Sequence, residues 1–276
     1  MSGPSVGGLR RFLAAAALLM AVCAAPARAL DQAYPALDAL LKKHVAWDAN
    51  GVTSVVAYKG LAADRAELRR VLDELSAVQR QQYDAFRRDE KLAFLINAYN
   101  AFTLELVLTR YPDLKSIKEL GTKAQSPWKR KFFRLLGEER QLDSIEHDMV
   151  RAPGVFDEPR THFAMVGASV GCPGLRPEAF TAARLETQLE DSTRRFLRDR
   201  SRNRYNPRVG RLEVSKIFDW YRADFERGSR GAATREAFLS RYADLLADDP
   251  KDQRLVREGK APIAHLDYDW SLNDRR

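Results

Sequence analysis

The chain has 276 residues, with 46 Lys and Arg against 38 Asp and Glu, a formal net charge of +8, four His and two Cys. That length can bury a sizeable core, and 45% apolar with 30% charged residues excludes a disordered or collagen-like chain. Two cysteines exclude a disulfide scaffold.

Arg10 and Arg11 precede an unbroken apolar run from Phe12 to Ala25, and Ala27-Arg28-Ala29 has the small-x-small pattern of a cleavage site. As a helix the run rises only about 21 Å, short of a ~30 Å hydrocarbon core. Residues 1–29 are therefore expected to be a signal peptide. The mature chain would start at Leu30, be periplasmic or secreted, and carry no transmembrane segment. The leader holds three arginines, no acid and Cys23, so its removal lowers the net charge to +5 and leaves Cys172 as the one cysteine.

Further on, the spacing of Tyr34, Leu37, Leu40 and Leu41 predicts a helix within 30–47, and Val55, Val56 and Tyr58 predict a strand over 53–58. Asp64 is placed to cap a helix to about residue 78, with Leu68, Val71, Leu72 and Leu75 on one face. Over 90–109 apolar residues surround the helix on all sides, the mark of a central buried helix, and Pro112 ends it. Residues 131–135 and 139–142 predict a hairpin about a turn at Gly137-Glu138. Asp143 is placed to cap a short helix to Arg151, and 161–167 reads as a strand. A glycine-rich turn, Gly171-Cys172-Pro173-Gly174, leads to a long helix over 182–198. A strand at 212–215 and helices at 217–225 and 236–246 complete the pattern. The expected fold class is α+β: a helix-dominated single domain over 30–276 with a small β-sheet, for which a papain-like layout is one candidate arrangement.

Cys172 is the first candidate for chemistry. It lies in a turn, where catalytic groups concentrate, and Gly171 and Gly174 would let the backbone approach a ligand. A cysteine nucleophile needs a base, usually His, oriented by a third group. Asp143, His147 and Arg151 line up at i, i+4 and i+8, so Asp143 could orient His147. Glu146 falls inside the apolar stripe of Leu142, Ile145 and Met149, and a buried carboxylate requires a partner, for which Arg160 and His162 are candidates. His162 precedes the Cys172 loop, but a strand there would hold it about 16 Å from Gly167. His265 reads as a solvated residue near the chain end. Asn97 and Asn100 stand in the most apolar helix and need partners of their own, as second-shell or oxyanion donors or as ties to neighbouring loops. No compact metal-ligand spacing is present, and no metal or other cofactor is expected. Arginines 194, 195, 198, 200, 202, 204 and 208 crowd one stretch, either as a solvated face or as a surface for an anionic envelope partner. Without an aromatic binding platform, nucleic acid is not expected.

The stretch Ala93-Phe94-Leu95-Ile96-Asn97-Ala98-Tyr99-Asn100, then Leu142-Asp143-Ser144-Ile145-Glu146-His147, Pro159-Arg160 with His162-Phe163-Ala164, and Ser169-Val170-Gly171-Cys172-Pro173 resemble the domain of unknown function 547 family. The likeness continues through Ser215-Lys216-Ile217-Phe218 with Trp220-Tyr221, to Tyr268-Asp269-Trp270-Ser271-Leu272-Asn273. The resemblance implies fold membership rather than a settled activity. Its marked positions fall on Asn97, Tyr99, Asn100, Glu146, His147, Arg160, His162 and Cys172. The family pattern carries a second cysteine just before the Ser169 position, where this chain has Gly167 and Ala168, so an essential cysteine pair is not expected.

Three functional readings follow. In the first, Cys172 is the nucleophile of a hydrolase or acyltransferase acting on an amide or ester, with His147 or His162 as base and Asp143 or Glu146 orienting it. In this reading Asn97, Tyr99, Asn100 and Arg160 form the substrate-binding or second shell. In the second reading the chain is a non-catalytic periplasmic binding or structural module. The third is a metal-dependent enzyme.

Overall fold

The strongest helical signal becomes the centre of the molecule. In the computed structural model, which describes residues 1–3 and 29–275, the apolar stretch forms a helix at Arg88–Leu108. The Glu90 side chain accepts the Arg87 N–H at its start. The helix has the length and apolarity to cross a membrane, but 89% of its most apolar window is buried inside the protein. The expected signal peptide lies outside the described residues apart from its first three residues and Ala29.

Before this helix come α1 (Pro35–His44), β1 (Val45–Trp47), β2 (Ser54–Val56), α2 (Tyr58–Ala63), α3 (Arg65–Ala77) and α4 (Arg80–Asp84), which make the central helix α5. The last residues of the first predicted helix are instead strand, and β1 pairs antiparallel with β2, Val45 opposite Val56. In α3 the predicted face of Leu68, Val71, Leu72 and Leu75 is buried. Asp64 stands at its start without capping it, because its carboxylate is taken by Lys43 and His44.

The hairpin is β3 (Phe133–Leu135) with β4 (Glu138–Arg140). Its turn is Leu136-Gly137, both at positive φ, one residue earlier than expected. The helix expected after Asp143 is a π-helix, Ser144–Val150, and Asp143 makes no side-chain cap. The predicted strand over 161–167 is absent. Glu158 instead caps a 3-10 helix, Pro159–Phe163, whose first residue is a proline. Phe163 then packs into one core cluster while Ala164 and Val166 pack into another, so the apolar run serves two cores rather than one sheet.

Next come α6 (Leu185–Arg198), β5 (Arg204–Asn206), β6 (Arg211–Ser215), α7 (Ile217–Trp220), α8 (Arg222–Phe225), α9 (Arg235–Ser240), α10 (Ala243–Leu246), α11 (Pro250–Arg257) and β7 (Ile263–Leu266). The helices expected over 217–225 and 236–246 are each broken in two. In the three-stranded sheet β6 lies between β5, antiparallel, and β7, parallel. The fold is helix-dominated α+β, with strands confined to small sheets.

Candidate active site

The parallel pair sets the site. Ser215 of β6 lies opposite Leu266 of β7, so the segments leaving both strands emerge on the same edge. Ligands favour that edge in sheets with parallel strands. One segment brings Ile217, Trp220 and Tyr221, and the other brings Tyr268 and Trp270, to a cleft of about 770 Å³ open to solvent. The C-terminal segment then runs along the Cys172 loop. Val170 and Gly171 donate to the carbonyls of Ser271 and Asp269, and Asn273 donates to that of Ala168. Ala168 is held in the left-handed region at φ 60, which is strained for any residue with a Cβ.

Cys172 is free, 7% exposed, and lines the cleft. Three polar groups converge on its sulfur: the Gly167 N–H at 3.2 Å, the Ser169 hydroxyl at 3.1 Å and the Tyr268 hydroxyl at 3.0 Å. Burial, then the neighbouring Cys172, pushes the Tyr268 phenol well above its ordinary range, so it keeps its proton and donates. Gly171 and Gly174 do not open the backbone to a ligand as expected. A Cβ on Gly171 would meet the Asp269 backbone at 2.9 Å, and one on Gly174 would meet the Trp47 ring at 2.3 Å. These glycines permit close packing of the loop itself.

Among the described residues neither cleft histidine hydrogen-bonds to the sulfur. The 3-10 turn, replacing the expected strand, folds His162 back into the cleft that Cys172 lines. There its ring stacks on Tyr221 at 3.9 Å, and Nε2 meets Asp224 Oδ2 at 2.7 Å. Asp224 also accepts from Arg151 at 2.5 Å and pairs with Arg227 at 2.9 Å. Burial works to raise the Asp224 carboxyl, but the bonds from His162 and Arg151 outweigh it and hold it at about 2. An ionised carboxylate only accepts, so Nε2 carries the proton and Nδ1 of the neutral ring keeps a lone pair. Burial pushes His162 below its ordinary value against the pull of Asp224 and Glu146, and the Arg151 charge adds to the depression.

His147, on the rim and half-exposed, has both ring nitrogens engaged: Nε2 with Asp143 at 3.3 Å, and Nδ1 with the Arg151 guanidinium. Glu146 is buried, and its partner is neither Arg160 nor His162. Tyr99 donates to it at 3.3 Å. Burial first, and Glu146 second, push the Tyr99 and Tyr221 phenols far upward, so both keep their protons beside the carboxylate.

The remaining candidates stand behind the cleft. Asn97 donates to the Phe180 carbonyl and accepts the Phe180 N–H, so its amide ties the helix to that loop, and it does not line the cleft. Asn100 grips Ala164 and Val166 in the same way and so holds the chain between His162 and Gly167. Arg160 is fully buried and binds Glu158, Glu186 and Glu190. His265 is not a solvated tail residue; it sits on β7 against Arg235. No three His, Cys, Asp or Glu side chains come together as metal ligands among the described residues. In the arginine-rich stretch, Arg194, Arg195, Arg200, Arg202 and Arg204 each pair with a carboxylate of the chain.

Sequence reading missed Tyr221, Asp224 and Tyr268 as site residues. Asp224 had no signal of its own. Trp220-Tyr221 and the Tyr268-Asp269-Trp270 run were marked only as part of the family resemblance.

The buried dyad gives stability a definite pH dependence. The folded-state value of His162 lies below its unfolded value, so as pH falls below about 6.5 the unfolded chain takes up the proton first and stability declines. Asp224 adds a second loss between about 4 and 2. In urea unfolding of His162→Gln, the decline just below neutrality is expected to shrink, with His265, also pushed down by burial, supplying the remainder. Parallel profiles for the wild type and the variant would contradict the neutral assignment.

Residues 83–197 match a family model described as Protein of unknown function, DUF547. Over this stretch the chain is similar to that family. No curated protein and no solved structure matches the chain. Cys172, His162, His147 and Glu146 all fall within the matched stretch, whereas Tyr221 and Tyr268, which line the same cleft, and Asp224, which binds His162, lie beyond it.

Proposed function

We propose that the cleft belongs to a cysteine-dependent hydrolase or acyltransferase acting on an amide or ester in the envelope, exported by the leader pattern of residues 1–29. The observation that carries this reading is a lone sulfur faced by three hydrogen-bond groups, in a cleft lined by an imidazole whose tautomer a buried carboxylate fixes. Cys172 is the nucleophile and His162 the base; His147 is set aside because both its nitrogens are occupied.

Sγ adds to the carbonyl carbon as Nδ1 of His162 takes the thiol proton. That proton passes to the leaving alcohol or amine as the C–O or C–N bond breaks, and a thioester remains. Water or an acceptor then adds to the thioester, giving its proton to His162. The proton returns to sulfur as the C–S bond breaks. Asp224 orients the ring and balances the imidazolium, and Tyr268 and Ser169 hold the sulfur in place.

Iodoacetamide tests the nucleophile. Cys172 is expected to alkylate at least about tenfold faster than free glutathione at neutral pH, and Tyr268→Phe to slow it. Labelling at ordinary thiol rates would favour the second reading, a non-catalytic binding module, for which the lack of a sulfur–imidazole hydrogen bond speaks.

A further inference from the structure

The chain carries 46 Lys and Arg, yet among the described residues none lines the cleft. The charged groups that do are the carboxylates of Asp143 and Glu146. Two cations beside its lining residues are already engaged. Arg151 is bound to Asp224 and lies over the Tyr221 ring at 4.6 Å, and Lys118 lies over the Trp270 ring at 4.5 Å. The outer wall is aromatic. Tyr268 meets Trp270 at 4.5 Å and Trp220 at 4.9 Å between ring centroids, and Trp128 meets Trp270 at 6.0 Å. Trp220 also meets Trp270 at 5.6 Å, yet 46% of its surface stays exposed, which leaves part of so large an apolar ring open to solvent.

An anionic ligand finds no counter-charge in this lining and two carboxylates against it. A cation finds the reverse: ring faces that attract it through their quadrupoles, and carboxylates behind them. We propose that the substrate of this site carries an ammonium or alkylated amine beside its acyl bond, seated against Trp220 and Trp128 with Asp143 behind. This rests on the cleft being the reaction site proposed above. It departs from the anionic partner suggested by the arginine-rich stretch, five of whose seven cations pair with the protein's own acids.

Three of the four tryptophans line the cleft, so intrinsic fluorescence reads its occupancy. The probes are choline, its neutral carbon isostere 3,3-dimethylbutan-1-ol, and the anion 3,3-dimethylbutanoate, alike in shape and different in charge. Choline is expected to quench saturably, with the alcohol about tenfold weaker and the carboxylate weaker again. Trp220→Ala and Asp143→Asn should each weaken choline severalfold, with melting temperatures recorded alongside, since the Trp220 ring is about half-exposed and asparagine keeps the size of Asp143 beside His147. Equal binding of choline and the alcohol, tighter binding of the carboxylate, or full choline affinity in Trp220→Ala would overturn the proposal. Running the titration in Cys172→Ala separates the two ideas. Choline binding there, with no acylation of the wild type, would remove the catalytic reading and leave only the cation-binding part of this one standing.

Discussion

His162→Gln will slow acylation of Cys172 by p-nitrophenyl acetate about 10²- to 10⁴-fold, the usual contribution of a positioned general base. Glutamine can still donate to Asp224 Oδ2 from the place of Nε2, so the Asp224, Arg151 and Arg227 cluster stays paired and the fold should hold. What it lacks is a lone-pair nitrogen in the place of Nδ1. His147→Gln is the control: its ring lies on the rim between Asp143 and Arg151, and its loss should leave the rate near that of the wild type. A rate unchanged by His162→Gln but lowered by His147→Gln would transfer the base to the rim. Release of p-nitrophenolate, followed in both variants with melting temperatures alongside, decides between them.

Arg160→Ala will produce the largest loss of stability, about 3–5 kcal/mol, because removing one partner of a buried ion network leaves the rest uncompensated. Arg160 has none of its surface exposed and forks onto Glu158 at 2.7 and 2.8 Å and onto Glu186 at 2.8 and 2.9 Å. Arg160 in turn holds the Glu186 carboxyl down at about 2. Glu186 and Glu190 can turn to water, but Glu158 is 13% exposed and also caps the 3-10 helix that carries His162. For a chain of this size the loss corresponds to a melting temperature lower by about 10 °C. Arg160→Lys should recover little, since one ammonium cannot serve two carboxylates in the planar fork geometry. A loss below about 1 kcal/mol in urea unfolding would mean that the network is a surface ornament with no part in holding the turn.

The elements that sequence pattern reached were those whose signal is local. A helix apolar all round, as in α5, has one stable place, the centre; a single apolar face, as in α3, packs against it. The stretch over 161–167 misled because a short apolar run, Phe163 to Val166, satisfies two cores on either side of a turn as well as it satisfies a sheet. Pro159 and the capping Glu158 were the local signs of the turn. The π-helix was not legible, since its wider turn departs from the 3.6-residue spacing on which the periodicity argument rests.

For the site, residue type identified Cys172, Glu146 and the histidines as unusual, but their partners come from segments far along the chain. Tyr268 reaches the sulfur only because β7 pairs parallel with β6, a pairing that short strands do not announce. Asp224 is one acid among many until the break between α7 and α8 brings it to His162.

The central claim is that the Cys172 sulfur forms a bond to an acyl carbon. Acid-quenched protein after brief exposure to p-nitrophenyl acetate, weighed intact and mapped by peptide, tests it most directly. One acetyl group on the peptide holding Cys172, absent in Cys172→Ser and scarce in His162→Gln, is the result expected. Acetyl groups scattered over lysines, with the Cys172 peptide unmodified, would contradict it.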